Sequence, residues 1–317
     1  MQTQKVKNNA LLMKLKSGAG QQKIIICAYV FIPLLLLFVF TYLPFGEMIG
    51  FSFFNMKYVG GRIFVGLRNY RDIFARSDIF SSLKLSLYYM GGSVVQLVLA
   101  LFLATILGFK LRFANVFKGI MFFPYLINGI AIGFIFKFFF TRGYVLDSVL
   151  GWLGIPLEKL PYWLKTQGLN NVMLVGTSVW RYLGNNMVLF IGAILSIDPE
   201  LYEAAELDGA GKWQQFRHII LPGIKTIFTL NIILSISGSL SAFEPPYVIA
   251  SRGANGTATY FIIMDKIAHT SQKVGLASAM AVFLLVIIFI VTMLQNVFFK
   301  YAFRNAGTGS SGKGDVL

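Results

Sequence analysis

The sequence predicts an all-α membrane protein with six transmembrane helices, and three observations carry that expectation. Of the 317 residues, 56% are hydrophobic and 13% are charged, about half the charged share of an ordinary soluble domain. The apolar residues come in blocks of about 20, the length that crosses ~30 Å of hydrocarbon at about 1.5 Å per helical residue. Basic residues flank these blocks more often than they interrupt them.

In chain order, residues 1–23 form a polar tail that carries Lys5, Lys7, Lys14, Lys16 and Lys23 and no acid, so the N-terminus is expected in the cytoplasm. The six spans read as roughly 24–45, 85–108, 119–140, 171–195, 224–248 and 275–299. The first block is too long for the core of a cleavable signal. An even number of spans returns the C-terminal tail, 300–317, to the cytoplasm. Loops 109–118 and 196–223 are then cytoplasmic, and 46–84, 141–170 and 249–274 external. Loop charge adds little, because the first external loop itself holds six basic residues. Pro33, Pro124 and Pro222 mark kinks or span starts. The small residues Gly275, Ala277, Ser278, Ala279 and Ala281 suit close helix packing in lipid. Asn255-Gly256 reads as a turn.

Composition also excludes. The net charge of +15 would suggest nucleic acid in a soluble protein, but beside apolar blocks it reads as contact with lipid headgroups. One cysteine, Cys27, cannot form an internal disulfide, and two separated histidines, His218 and His269, argue against a metal site. Residues 307–314, GTGSSGKG, nearly match a phosphate-binding loop but lack the final Ser/Thr and a preceding strand, so they read as a flexible tail. No nucleophile–base pair for catalysis is visible.

The segment from 198 to 222 is the most informative. It carries five acids in eleven residues, Asp198, Glu200, Glu203, Glu206 and Asp208, between two apolar runs. Asp198-Pro199 is a strong helix start, and acids near a helix N-terminus are favourable. Leu201, Ala204 and Ala205 fall at helical spacing. Asp208-Gly209 with Gly211 reverses the chain, Trp213, Phe216 and Ile220 share one side of a second short helix, and Leu221-Pro222 starts the next span. A small alanine face beside an acidic face suits docking in a partner's groove, with Glu203 placed for an ionic contact. An ordinary solvated interfacial helix is the competing reading.

Within the spans, polar residues are costly and default to functional hypotheses. Tyr125, Asn128 and Lys137 lie in the third span, Arg181, Tyr182, Asn185 and Asn186 in the fourth, and Asn231, Ser235, Ser237, Ser239, Ser241 and Glu244 in the fifth. Amides, hydroxyls and an aromatic face are what a sugar site uses. Taken singly, each has a structural alternative. Ser and Asn tie spans together through bonds worth under ~1 kcal/mol, and Arg181 and Lys137, near external ends, can snorkel. Glu244 before Pro245-Pro246 reads as a gate or an interfacial turn. Taken as a set, they read as a lining.

Glu203-Ala204-Ala205, Asp208-Gly209-Ala210 and Ile220-Leu221-Pro222 resemble the EAA loop of permease subunits of bacterial ATP-binding-cassette (ABC) importers. The flanks resemble the carbohydrate-uptake, maltose-type branch: Phe64-Val65-Gly66-Leu67-Arg68-Asn69-Tyr70, Phe123-Pro124-Tyr125, Trp180, Gly184, Asn186, Met187, Leu195, Phe243-Glu244, Gly253, Thr257, and Gly275 with Ala277-Ser278-Ala279. The likeness covers most of 24–299. One departure is Ser251-Arg252-Gly253-Ala254-Asn255-Gly256, where the family often reads Gly-Gly-Gly-Pro.

The resemblance implies a type I ABC importer permease fold, a six-span permease domain over 24–299 with its coupling loop at 198–222. It implies a multi-pass protein of the bacterial cytoplasmic membrane, both termini inside, that catalyses nothing itself. Its partners would be a second, shorter permease, two ATPase subunits that bind ATP and Mg, and an extracytoplasmic sugar-binding protein. Glu203 would be the ionic contact with the ATPase, Ala204 and Ala205 the seating surface, Gly209 the turn, with Asp208, Leu221 and Pro222 completing the motif. Cargo alternatives are a polyol or a glycerol phosphate ester, and the latter would want paired basic groups in the cavity. A secondary transporter or channel would show internal repeats and mid-membrane acids, and a non-transporting scaffold would need no polar lining.

Overall fold

The computed structural model describes residues 18–108 and 113–302. Most of the N-terminal tail, part of the loop 109–118 and the glycine-rich C-terminal stretch lie outside the described residues. The rest is almost wholly helical. The first span is α1 (Gly18–Leu37), a π turn at Phe38–Tyr42, and α2 (Leu43–Phe51). Pro44 lacks an N–H for the helical ladder, and the π turn precedes it. No residue of its most hydrophobic stretch is buried, while α2 at its C-terminal end lies against the last helix of the chain, Val274–Ala302.

The segment 46–84 is more ordered than its composition suggests. A hairpin of β1 (Phe54–Asn55) and β2 (Ile63–Phe64) pairs antiparallel, Phe54 opposite Phe64. Short α3 (Arg68–Ala75) follows. The Gly66-to-Tyr70 motif has a structural task here. Gly66 turns with φ +55°, and buried Asn69 donates to the Ser52 and Phe54 carbonyls at 2.8 and 3.0 Å.

The second span, α4 (Ser77–Gly108), begins eight residues before the expected 85, because Asp78, Ser81, Ser82 and Lys84 lower the hydropathy of its first turns. Expected span 119–140 is not one helix. It breaks into α5 (Ala114–Leu126) and α6 (Gly129–Phe140), bent by 97°. Pro124 lies inside α5, and the break falls after it, where Asn128 caps α6. Short α7 (Val145–Trp152) precedes α8 (Leu169–Leu195), the fourth expected span. The loop that follows holds α9 (Pro199–Leu207), α10 (Lys212–Gln215), a second π turn (Phe216–Ile220) and α11 (Leu221–Gly223). The fifth span is α12 (Lys225–Leu240) with α13 (Glu244–Val248). Then come α14 (Tyr260–Asp265), a third π turn (Lys266–Thr270) and α15 (Val274–Ala302).

By length and composition, four described helices can cross a membrane, Ile25–Phe51, Ser77–Gly108, Lys225–Val248 and Val274–Tyr301, and the bent α5–α6 pair makes a fifth. Helix α8 is long enough at 27 residues but falls outside that set. Asn170, Asn171, Arg181, Asn185 and Asn186 dilute its hydropathy.

The core has three parts. Leu97, Ala100, Leu101 and Ala104 of α4 pack on Met187, Phe190, Ile191 and Ile194 of α8, with Ile220 and Ile224 from the approach to α12. The alanines let the two helices approach closely. A second cluster joins Ile73, Ile79 and Tyr260 to Leu276, Ala277 and Met280 of α15. A third joins Tyr89, Phe140, Leu174 and Val175 to Ile249. The small-residue start of the last span packs as expected: Gly275 lies under the Phe54 carbonyl, where any side chain would overlap it. Asn255 and Gly256 both take positive φ, as do Ser251, Arg252 and Gly253 before them.

Candidate functional site

The helix breaks leave room inside. Between α4, the α5–α6 junction, α8 and α12–α13 lies a cavity of about 590 Å³. Tyr125, Arg181, Tyr182, Asn185, Asn186, Asn231, Ser235 and Glu244 all line it. Asn128, expected beside them, does not. Its side chain accepts from the Ile130 amide at 2.9 Å and caps α6, satisfying a helix-end donor. Lys137 is also outside, donating to Ser251 Oγ at 3.2 Å.

The polar face has a clear origin. Arg181, Tyr182, Asn185 and Asn186 follow helical spacing on α8, and Asn231, Ser235 and Ser239 repeat every four residues on α12. Tyr125 and Tyr182 bring their rings to 5.9 Å, a tilted pair with apolar faces beside the amides. Part of the set is spent internally. Asn231 donates to the Ile227 carbonyl at 2.9 Å, and Ser239 to the Ser235 carbonyl at 2.7 Å. Tyr89, Ser93 and Gln96 of α4 complete the wall. Their spacing of four and then three residues, inside an apolar run, was a usable signal for a helix face.

Arg181 is not a snorkelling residue. Its guanidinium forms an ion pair with Glu244 of α13, and its side chain is 16% exposed against 40% for the glutamate. An unpaired charge at this depth would be costly, and pairing relieves that cost. The carboxylate also sits by the N-terminal end of α6, where the helix dipole favours a negative charge. A side chain on Gly129 would crowd the ends of both members of the pair, so glycine leaves room for them there.

In the loop between the fourth and fifth spans, Asp198 accepts from the Glu200 amide at 3.0 Å and caps α9. Gly209 turns the chain at φ +77°. Lys212 bonds Glu206 at 2.8 Å, and Gln214 accepts from the Gly211 amide at 2.7 Å, so the reversal is clamped. That bond from Lys212, with one from Gln215, holds the Glu206 carboxyl below its ordinary value. Glu203, Ala204 and Asp208 are exposed, Ala205, Leu221 and Pro222 half-buried. Tyr202 and Phe216 turn inward onto the α4–α8 core, tying the loop to the cavity's walls. Leu207, which sequence reasoning passed over, is 90% exposed, and Trp213, stacked on Phe216 at 5.4 Å, is 71% exposed. Among the described residues, no group of three or more His, Cys, Asp or Glu side chains could hold a metal ion.

Helices at membrane length around a polar cavity, with a clamped loop on one end, define a membrane transport subunit. The model of the family described as binding-protein-dependent transport system inner membrane components matches residues 96–302. This chain belongs to that family, the permease subunits of ABC importers. A protein of Bacillus subtilis (strain 168), described as the probable ABC transporter permease YurN, is 31% identical over 289 residues, covering 89% of this chain and 98% of its own. The probable starch degradation products permease AmyD of Thermoanaerobacterium thermosulfurigenes is 29% identical over 268 residues, covering 83% and 89%. In the crystal structure of a bacterial ABC transporter that imports the acidic polysaccharide alginate, one chain matches at TM-score 0.77 and 19% identity, covering 92% of this chain and 99% of that one. The fold is thus that of a type I ABC importer permease.

Proposed function

We propose that this chain is one of two permease subunits of an ATP-driven importer for an oligosaccharide or related sugar. The second permease is a different chain that completes the translocation path. Two ATPase subunits bind ATP and Mg, and an extracytoplasmic binding protein delivers the cargo. The chain lies in the cytoplasmic membrane with both termini inside.

The cavity carries this reading. Carboxamides of Asn185 and Asn186, hydroxyls of Ser93 and Ser235, and the Tyr125–Tyr182 rings meet in one chamber. Amides bond sugar hydroxyls and aromatic faces cover the sugar's apolar side. Relatives named for starch degradation products and for arabinooligosaccharides support the same cargo class, and a structural relative is described in complex with a saccharide-bound periplasmic protein.

The loop supplies the coupling. Exposed Glu203, Ala204, Leu207 and Trp213 present a docking face. Tyr202, Phe216 and Ile220 pass movement of that face to α4 and α8. ATP-driven closure of the ATPases would then rock the helices that line the cavity.

Extraction of the tagged chain in mild detergent, followed by mass spectrometry, tests the assembly. Co-purification of an ATPase and a second permease is expected. A lone chain that still takes up solute without ATP would replace this reading with a secondary transporter or channel.

A further inference from the structure

The cavity wall has an unusual charge inventory. Among the described residues that line it, Arg181 and Glu244 alone are charged, and they neutralise each other. Everything else polar is a hydroxyl or a carboxamide. The nearby cation Lys137 lies outside the lining and bonds Ser251. Glu244 is the one ionic partner of Arg181 among the described residues, and Arg181 Nε is buried without a hydrogen-bond partner. The positive charge therefore depends on a single carboxylate.

We infer that the Arg181–Glu244 pair sets the charge selectivity of the cavity, admitting neutral saccharides and rejecting acidic ones. The inference rests on the oligosaccharide reading and narrows its cargo class. In a low-dielectric chamber an unpaired guanidinium is a strong site for a carboxylate or phosphate, bonding it with two parallel N–H groups. Glu244 already fills that valence from the protein's own side. An acidic cargo would have to displace it and leave a bare glutamate in the wall, whereas a neutral cargo leaves the pair intact. Rejection by an already satisfied charge pair is specificity by repulsion. The same balance disfavours a glycerol phosphate ester.

A pair that merely fastens α8 to α13 would give no change of preference on mutation, so binding preference is the discriminating readout. The whole complex, purified in detergent with its partner chains, is titrated by calorimetry. Maltotriose, xylotriose and arabinotriose are the neutral probes, and trigalacturonate is the acidic one. Wild type should bind a neutral trisaccharide and bind trigalacturonate at least about tenfold more weakly. Glu244→Gln should raise trigalacturonate affinity by about tenfold or more, an effect that fades with added salt as screening shortens. The double variant Arg181→Gln/Glu244→Gln, which removes both charges, should lose that gain.

Neutral binding retained in Glu244→Gln with no acidic gain would overturn the inference. If that variant fails to assemble, Arg181→Gln gives the mirror test: the bare glutamate should recruit cationic triglucosamine, and no gain overturns the inference equally. A wild type that binds none of the neutral probes would overturn the oligosaccharide reading itself.

Discussion

Gly184 of α8 lies directly beneath the backbone carbonyl of Met121 on α5, so close that a single Cβ would overlap it. Two helices can approach this far only over a residue without a side chain. The contact fixes the depth at which the neighbouring Asn185 and Asn186 meet the cavity. Gly184→Ala should therefore destabilise the extracted protein by about 1–3 kcal/mol, the usual cost of overpacking. Gly192 lies on the same helix with open space around it, and Gly192→Ala should be neutral or slightly stabilising. Thermal unfolding in detergent, followed by size exclusion, separates the two. Equal midpoints would show that the close approach is unimportant.

Asn186 is buried in the cavity wall. Asn186→Leu keeps the branched shape and removes the amide, so a cargo hydroxyl loses its partner. The uptake KM should rise roughly tenfold to a hundredfold, as for about 1–3 kcal/mol of lost hydrogen bonding, while ATPase docking is unchanged. Unaltered uptake kinetics would take Asn186 off the path.

The Glu206–Lys212 bond predicts a pH dependence confined to the loop. Glu206 has a depressed carboxyl pKa because Lys212, chiefly, bonds its charged form. The clamp is thus fully present above the ordinary carboxylate value and lost as pH falls through the lowered one. Amide exchange over residues 208–215, corrected for intrinsic rates, should lose protection on acidification in the wild type. In Glu206→Gln it should be low already at neutral pH and flat. Parallel profiles would remove the clamp from the account.

Leu207 offers a second handle on docking. A leucine this exposed between Glu206 and Asp208 has no internal packing to lose. Leu207→Asp should leave the fold and its melting temperature intact and reduce co-purification of the ATPase severalfold. Undiminished recovery would place the docking face elsewhere on the loop.

Much of this was legible in the sequence. Spans follow from runs of apolar residues, and the loop's cap, turn and re-entry follow from Asp198, Gly209 and Pro222, all local signals. The polar set on α8 and α12 was visible because its residues recur at helical spacing. What local pattern could not give was partnership over distance. Arg181 and Glu244 stand 63 residues apart, so the sequence leaves snorkelling open as one reading of the arginine beside its place in the lining, and shows no partner for it. The break in the third span is similar. Pro124 suggested a kink, yet the 97° bend falls at Asn128, where a cap forms and Gly129 makes room for that pair. The hairpin at 54–64 depends on Asn69 reaching back to carbonyls that hydropathy does not reveal.

The central claim is that the 198–222 loop converts an ATPase's movement into transport through this cavity. Proteoliposomes carrying the complex, with the binding protein outside, test it by comparing ATP-driven oligosaccharide uptake for wild type and Glu203→Lys. The account predicts ATP-dependent uptake in the wild type and its loss in Glu203→Lys, with the variant chain inserted normally. Normal uptake by Glu203→Lys, or wild-type uptake indifferent to ATP, would contradict it.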